Sequence, residues 1–475
     1  MNKPAIVLIT CDELRRDGLS LYGNQSISTP HLDKLASASM RFDNCYTPSP
    51  LCLPARCAIA TGLFPHNSGA YSNFRECPLN TGLPNIFTLL KKSGYRASMF
   101  GKCHFVPAVD ERATATTTVE TEYRDQYLAL GIDDLYLQDD KAGSIWFYDD
   151  YSRELEAAGY LDAYRERQWN KKEYASVFDF PGPAQWHPDI RVADKTCEYL
   201  EKYDREEAPF LWLSFSGPHY PFDPPAQYLS RVDASKMNKR VYDKNEFDNP
   251  NRVHHTSYHG PAGIDACNRA KDGACKNFTE EYWERLRVAY NANIALIDDQ
   301  IGRVLEVVRQ KFGDNAMIIF TTDHGELLGD HGLWGKHNCV YDSVWRTPLF
   351  IQFPHGAHAG EVAEAKVNTM DLLPTILRVA DIDTDVRFDG RELISHAAAG
   401  GYDYIFAEAE GLMAVTDGVY KYCYARFGDK DFHELMNLEA DPNEFNNFYN
   451  DPTHNETLIR LQKQIIERLV KDVLP

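Results

Sequence analysis

The sequence lacks any apolar run near the roughly 20 residues that a membrane-spanning helix requires. Its opening, MNKPAIVLITCDE, reaches Asp12 and Glu13 after too short an apolar stretch for a secretory signal. Neither export nor a membrane partner is therefore expected, and a cytoplasmic location is. Positive charge is scarce too: 50 Lys and Arg face 70 Asp and Glu, a formal net charge of -20. Nucleic-acid binding draws on basic surface that displaces counterions, so that partner class is excluded, while a local cationic pocket for a small anion is not. Regular cysteine spacing is also missing. The eleven cysteines are odd in number and scattered, as expected of reduced thiols in a cytoplasm, and Cys267 and Cys275 in CNRAKDGAC are the one pair spaced like a local disulfide or metal loop. There are no internal repeats and no low-complexity linkers.

What remains is 475 residues with an ordinary globular balance of apolar and charged residues, long enough for a large core with an appendage. AIVLITCDE is a β-branched apolar run that ends in acids, the pattern of a buried parallel strand with polar residues at its carboxyl end. STPHLDKLASAS follows as a helix, with Thr29 as N-cap and Pro30 in the first turn. The alternation continues through NIFTLLKKSG (helix), YRASMFGKCH (strand into loop), IRVADKTCEYLEKY (helix), PFLWLSFSGPHYPF (strand into loop), TEEYWERLRVAYNANIALIDDQIGRVLEVVRQ (helix) and AMIIFTTDHGE (strand into loop). Such a series predicts an α/β fold, a large and mostly parallel central sheet with helices on both faces. Four strand ends release ionisable residues: Asp12, the Lys102 and His104 pair, His219, and the Asp323 and His324 pair. In open α/β sheets, sites form at that edge.

Two stretches, near 106–185 and 223–278, carry weak periodicity and read as long excursions suited to substrate recognition. VNTMDLLPTILRVADI reads as a helix. Beyond about residue 395 the pattern turns to short alternating strands and a final helix, NETLIRLQKQIIERLVKDVL. The expected organisation is a catalytic α/β domain over 1–395 and a small α+β subdomain, an antiparallel sheet plus a helix, over 396–475.

Cys52, in SPLCLPARCAIATG, stands at the mouth of a predicted helix. A tyrosine-phosphatase-like loop would need an arginine at position 58, which is Ala, and a thioredoxin-like pair would need closer spacing than Cys52 and Cys57 have. A small buried structural thiol remains open. CLPAR fits the Cys-x-Pro-x-Arg signature of the sulfatase family, in its formylglycine-dependent type I branch within the alkaline phosphatase superfamily, and CAIATGLFPHNSG resembles the family's continuation. VLITCDELRRD, GYRASMFGKCHF, SGPHYPF, FTTDHGELLGDHGLWGKHNCVYDSVWRTPL and ELMNLEADPNEFNNF resemble its later motifs, in the family's order.

The resemblance implies a sulfuric ester hydrolase in which a maturation enzyme converts Cys52 to Cα-formylglycine, whose hydrate attacks a sulfate monoester. It implies a divalent cation, Ca2+ with Mn2+ or Mg2+ as alternatives, held by Asp12, residue 52, Asp323 and His324. Arg56 would hold the aldehyde hydrate, Lys102 and Lys336 the ester oxygens, and His219 the leaving oxygen. His104 would be the base that expels sulfate, and Asn73 would reach the substrate. Glu13 stands where some sulfatases carry a further aspartate ligand, and its extra methylene argues against that role. His66, His331 and His337 would support the site. The residue types suit the chemistry without the name: an ester anion repels an incoming oxyanion, and positive charge around the transferred group offsets that. Hard carboxylate oxygens suit a divalent cation.

A phosphonate monoester or phosphodiester hydrolase shares the aldehyde nucleophile, and Lys102 favours sulfate over it. A binding protein retaining the fold is a third reading, disfavoured because the cysteine, metal acids and lysines are all present. The expected partner is a small-molecule or oligosaccharide sulfate ester, with RVHHTSYHG (252–260) a candidate for reaching it. Oligomeric state is left open.

Overall fold

The computed structural model describes residues 3–73, 75–107, 118–141, 148–169, 177–260, 274–336 and 339–473. Cys267 and His337 lie outside the described residues.

Nine strands form the main sheet: β1 (Ala5–Asp12), β2 (Met40–Tyr46), β3 (Tyr95–Gly101), β4 (Asp134–Leu137), β5 (Ala208–Pro218), β6 (Ala316–Thr322), β7 (Arg346–Thr347), β8 (Leu349–Gln352) and β9 (Val362–Asn368). Their order is β4-β3-β5-β1-β6-β8-β2-β7, with β9 also paired to β2. β4, β3, β5, β1 and β6 run parallel, and β8 is antiparallel to both β6 and β2. All eight residues of β1 are buried. Side chains alternate across a strand, so Val7, Ile9 and Cys11 enter one core while Ile6 and Leu8 enter the other. The first core is closed by the helices Pro30–Ser37, Pro188–Glu201 and Glu280–Phe312, and the second by Cys52–Thr61, Ile86–Lys92 and Leu372–Val379.

This is the α/β architecture that the sequence predicts, with three differences of detail. The stretch near 106–185 is not wholly an excursion, because β4 pairs with β3 and forms the sheet's edge. At four residues, half of them only partly buried, β4 is too short to show a period. VNTMDLLPTILRVADI begins as the end of β9; Asn368 and Asp371 cap each other's backbone there, and the helix starts at Leu372. Thr29 does precede the helix Pro30–Ser37, but its hydroxyl joins Ser20 and Asp33 instead of a helix N–H.

A separate antiparallel sheet, β10 (Ile405–Ala409), β11 (Leu412–Thr416), β12 (Tyr420–Phe427) and β13 (Lys430–Asn437), follows near the carboxyl end. One face packs Ala407, Ala414 and Cys423 with Tyr46, Leu51 and Trp345. The other packs Val415, Tyr422 and Leu435 with Leu461 and Ile465 of the helix Asn455–Val473. The Glu408 N–H also donates to the Pro48 carbonyl at 2.9 Å. The small sheet therefore buttresses the segment that leads into Cys52.

At the carboxyl end of β3 the backbone turns at Gly101, where φ is +101° and an added Cβ would lie 1.9 Å from the Ser214 carbonyl oxygen. Only glycine permits that approach, which lets the Lys102 N–H donate to Ser214 at 2.9 Å. Gly101→Ala is expected to destabilise the protein by at least about 1 kcal/mol in denaturant unfolding; an unchanged midpoint would mean that β3 and β5 separate there without cost.

Candidate active site

Cys52 is the first residue of the helix Cys52–Thr61, and every residue of that helix is buried. The preceding Leu51 is extended, and Asn73 Oδ1 accepts the Leu53 N–H at 3.0 Å, satisfying one of the donors a helix start leaves open. Asn73 thus secures the helix that carries Cys52. Arg56, one turn on, shares its face. Arg56 Nε donates to Asp323 Oδ2 at 2.9 Å, and Nη1 donates to the Lys102 carbonyl and Ser214 Oγ at 2.9 and 2.7 Å. Nη2 is buried with no acceptor among the described residues.

Ligand atoms of Asp12, Cys52, Asp323 and His324 all lie within 4.8 Å of one another. His324 Nδ1 meets the Gly325 carbonyl at 2.8 Å; a carbonyl only accepts, so Nδ1 carries the proton and the Nε2 lone pair faces inward. Nε2 lies 3.1 Å from Cys52 Sγ and 3.8 Å from carboxylate oxygens of Asp12 and Asp323. Asp12 Oδ1 is buried without a hydrogen-bond partner. Two carboxylates, one of them with an unpartnered buried oxygen, and an imidazole lone pair form a donor set that fits a divalent cation. Burial, and then the Asp12 charge, push the Cys52 thiol up, so it is a neutral S–H and not a thiolate.

Cations and histidines ring this cluster. Lys102 Nζ sits 2.5 Å from both Asp12 Oδ2 and Asp140 Oδ2. Burial would lower its pKa, but the two carboxylates outweigh burial and hold the ammonium above its usual range. Lys336 Nζ lies 3.0 Å from Glu13 Oε1. His219 Nδ1 donates to the Tyr220 carbonyl at 2.6 Å, leaving Nε2 to face Glu13 at 3.5 Å. Burial and Lys336 push His219 down to about 3, and burial and Lys102 push His104 well below its ordinary value, so both imidazoles are neutral bases. Glu13 and His104 occupy the left-handed region at φ 66° and 48°, strain of the kind that gathers at reacting centres.

Residues 4–382 match the Sulfatase family and residues 329–471 match the N-sulphoglucosamine sulphohydrolase C-terminal family. The chain belongs to the sulfatase family. It is a sulfuric ester hydrolase of the alkaline phosphatase superfamily. Among its relatives it is 27% identical to an arylsulfatase of Clostridium perfringens, over 98% of this chain and 94% of the relative. It is 28% identical to a choline-sulfatase of Rhizobium meliloti, over 95% and 83% of the two chains. In fold it is similar to the phosphonate monoester hydrolase of Agrobacterium radiobacter, with a TM-score of 0.80, 22% identity, and 99% and 96% of the two chains covered.

In this sulfatase the strand ends bring Asp12, Lys102, His219, Asp323 and His324 together with Cys52, Arg56 and Lys336. Arg56 spends three bonds on Asp323, Lys102 and Ser214, and its buried Nη2 has no acceptor among the described residues. In the 252–260 stretch, His254 packs 5.8 Å from the Tyr341 ring, and the Val253 N–H donates to Glu434 of β13. His331 stacks on Tyr341 at 3.7 Å and meets Glu246 at 2.9 Å, and His66 meets Glu408 at 2.8 Å; both link the catalytic loops to the rest of the fold. Sequence reasoning did not single out Asp140, Ser214, or Glu326, whose Oε1 accepts the Leu328 N–H at 3.0 Å and holds the DHGE turn. Among the described residues, no helix is long and apolar enough to cross a membrane.

His254 is buried, and burial pushes it down to about 4. A histidine that is neutral when folded and protonates near 6.5 when unfolded contributes stability that is present above pH 6.5 and lost as pH falls toward 4. Relative to wild type, His254→Gln is expected to gain about 2 kcal/mol between pH 7 and pH 5 in denaturant unfolding. A difference independent of pH would show that His254 titrates alike in the folded and unfolded states.

Proposed function

We propose that this sulfatase hydrolyses a sulfate monoester to an alcohol and inorganic sulfate, using a formylglycine made from Cys52 and a divalent cation held by Asp12, residue 52, Asp323 and His324. One observation carries the reading: a buried, neutral thiol at a helix mouth shares a 4.8 Å cluster with two carboxylates and an imidazole. As a neutral S–H it is a poor nucleophile, whereas its position suits a modified side chain. When present, the aldehyde hydrate would supply the attacking oxygen and the cation would polarise an ester oxygen and favour ionisation of the hydrate.

The chain's own groups would do the rest. Lys102 and Lys336 would bind the ester oxygens as point charges, releasing part of their hold on Asp12 and Glu13. Arg56 Nη2 would stabilise the oxygen borne by residue 52. His219, its Nδ1 fixed by the Tyr220 carbonyl, would take up a solvent proton at Nε2 as the ester anion binds and pass it to the leaving oxygen, and neutral His104 would take the proton whose loss frees sulfate. Asn73 is assigned to holding the helix mouth. Ca2+ is the favoured ion for the hard oxygen set, with Mn2+ or Mg2+ as alternatives because of the His324 nitrogen. The substrate is a small-molecule or oligosaccharide ester; relatives are named an arylsulfatase, a choline-sulfatase and, at 23% identity, an N-acetylglucosamine-6-O-sulfatase. Residues 1–395 would be the catalytic unit and 396–475 its support. Action in a reducing cytoplasm is the proposed setting for a chain whose ten described cysteines are all buried.

Two measurements check the reading. In protein made alongside a formylglycine-generating enzyme, the peptide spanning Cys52 is expected to carry the mass of the aldehyde, and the protein to prefer 4-nitrophenyl sulfate over the matching phenylphosphonate ester. An unmodified thiol in protein that turns over the sulfate would overturn the mechanism, and a preference for phosphonate would overturn the substrate class. Calcium at 100 times its dissociation constant is expected to stabilise the fold by about 2.7 kcal/mol, and Asp12→Asn to abolish that gain; a gain that survives in Asp12→Asn would place the ion elsewhere.

A further inference from the structure

Three consecutive residues after the edge strand β4, Asp139, Asp140 and Lys141, reach two catalytic loops, the first two the Lys102–His104 loop and the third the His219 loop. An Asp139 carboxylate oxygen accepts the backbone N–H groups of Cys103 and His104 at 3.0 and 2.8 Å, and its other oxygen accepts the Tyr127 hydroxyl at 2.6 Å. Two N–H bonds to one oxygen fix the backbone at the residue that sits at φ 48°. Asp140 Oδ2 holds Lys102 Nζ as a second carboxylate beside Asp12, both at 2.5 Å. Lys141 is wholly buried and pairs with Asp223 at 2.6 Å and Asp189 at 3.6 Å. Asp223 also meets His187 at 3.4 Å and accepts from Tyr164, and Asp189 Oδ1 accepts the Gly217 N–H at 2.9 Å. A Cβ on Gly217 would lie 2.4 Å from Asp189, so the loop is drawn tightly onto this carboxylate. Gly217 and Asp223 are the two ends of the segment that carries His219.

We propose that Asp139, Asp140 and Lys141 are positioning residues for the reaction, a brace that sets the His104 backbone, the Lys102 ammonium and the His219 loop from one short edge segment. The proposal rests on the roles given above to Lys102, His104 and His219. The physical need is specific for Lys102. A lysine is a point charge on four rotatable bonds, and in this site its inner partner, Asp12, is also a candidate metal ligand. An anchor outside the metal cluster keeps the ammonium in place whichever way Asp12 is engaged. Asp140, with about a quarter of its side chain exposed, can serve that end without belonging to the deepest layer of the site.

The test compares wild type, Asp140→Asn, Asp140→Glu, Lys102→Ala and the Lys102→Ala/Asp140→Asn double variant. All are made alongside a formylglycine-generating enzyme, with Cys52 conversion read by peptide mass and folding by circular dichroism. Asp140→Asn is expected to lower kcat/KM about 10- to 100-fold on both 4-nitrophenyl sulfate and phenyl sulfate, the range found when a group orienting a reacting residue is lost. Asp140→Glu should recover most of that loss. On the Lys102→Ala background, Asp140→Asn should change kcat/KM by less than about 2-fold, because its effect passes through the missing ammonium. Wild-type kinetics in Asp140→Asn, or its full loss repeated in the double variant, would overturn the brace alone. Undiminished turnover in Lys102→Ala would overturn the reading of Lys102, and the brace with it. If the asparagine variant does not fold, Asp140→Ser makes the same comparison. Lys141→Met, acting through His219, is expected to cost more on phenyl sulfate, the poorer leaving group, than on 4-nitrophenyl sulfate; equal losses would remove Lys141 from the proposal.

Discussion

The site depends on one buried carboxylate. Asp323 Oδ2 holds Arg56, and Oδ1 accepts the N–H groups of Glu13 and His324 at 3.1 and 2.9 Å. A single side chain at the end of β6 therefore fixes the exit of β1, its own following turn and the helix that begins at Cys52. Arg56 extends the tie to β3 through the Lys102 carbonyl and to β5 through Ser214. Removing one partner of such a pair leaves the other charge buried and uncompensated, at a typical cost of 3–5 kcal/mol. The parallel strands β1, β3, β5 and β6 are joined by their ladders, but their functional ends are registered to one another by this pair.

The central strands were the most legible part of the chain. β1, β3, β5 and β6 are covered on both faces, so their apolar runs are nearly continuous, and ionisable residues appear where the runs stop. Asp12, Lys102, His219 and Asp323 could be read from that pattern alone, and family motifs added Cys52, Arg56 and Lys336. The edge was not legible. β4 is short and half-exposed, and the DDK that follows it looks like any solvated turn until β3 is laid beside it. Side-chain type alone also does not give the structural partner: Asn73 Oδ1 accepts the Leu53 N–H, and His254 packs against Tyr341, contacts that spacing in the sequence does not reveal.

Charge is arranged oppositely at the two scales of this molecule. The chain as a whole is strongly acidic, but Arg56, Lys102 and Lys336 converge on one buried point. Each is matched by a carboxylate at close range: Asp323 for Arg56, Asp12 and Asp140 for Lys102, Glu13 for Lys336. Net repulsion among the cations is thereby contained within the fold.

The burial of Cys52 has a consequence in time. The thiol is 1% exposed, and the residues that enclose it, Asp323 and His324, lie about 270 positions further along the chain. At synthesis rates of about 5–20 residues per second, roughly 15–50 s separate the appearance of the cysteine from that of its enclosure. Chemistry that needs access to that sulfur has this interval in which to act. For the proposed conversion of Cys52, the pace of translation thus bears on access as much as the finished architecture does.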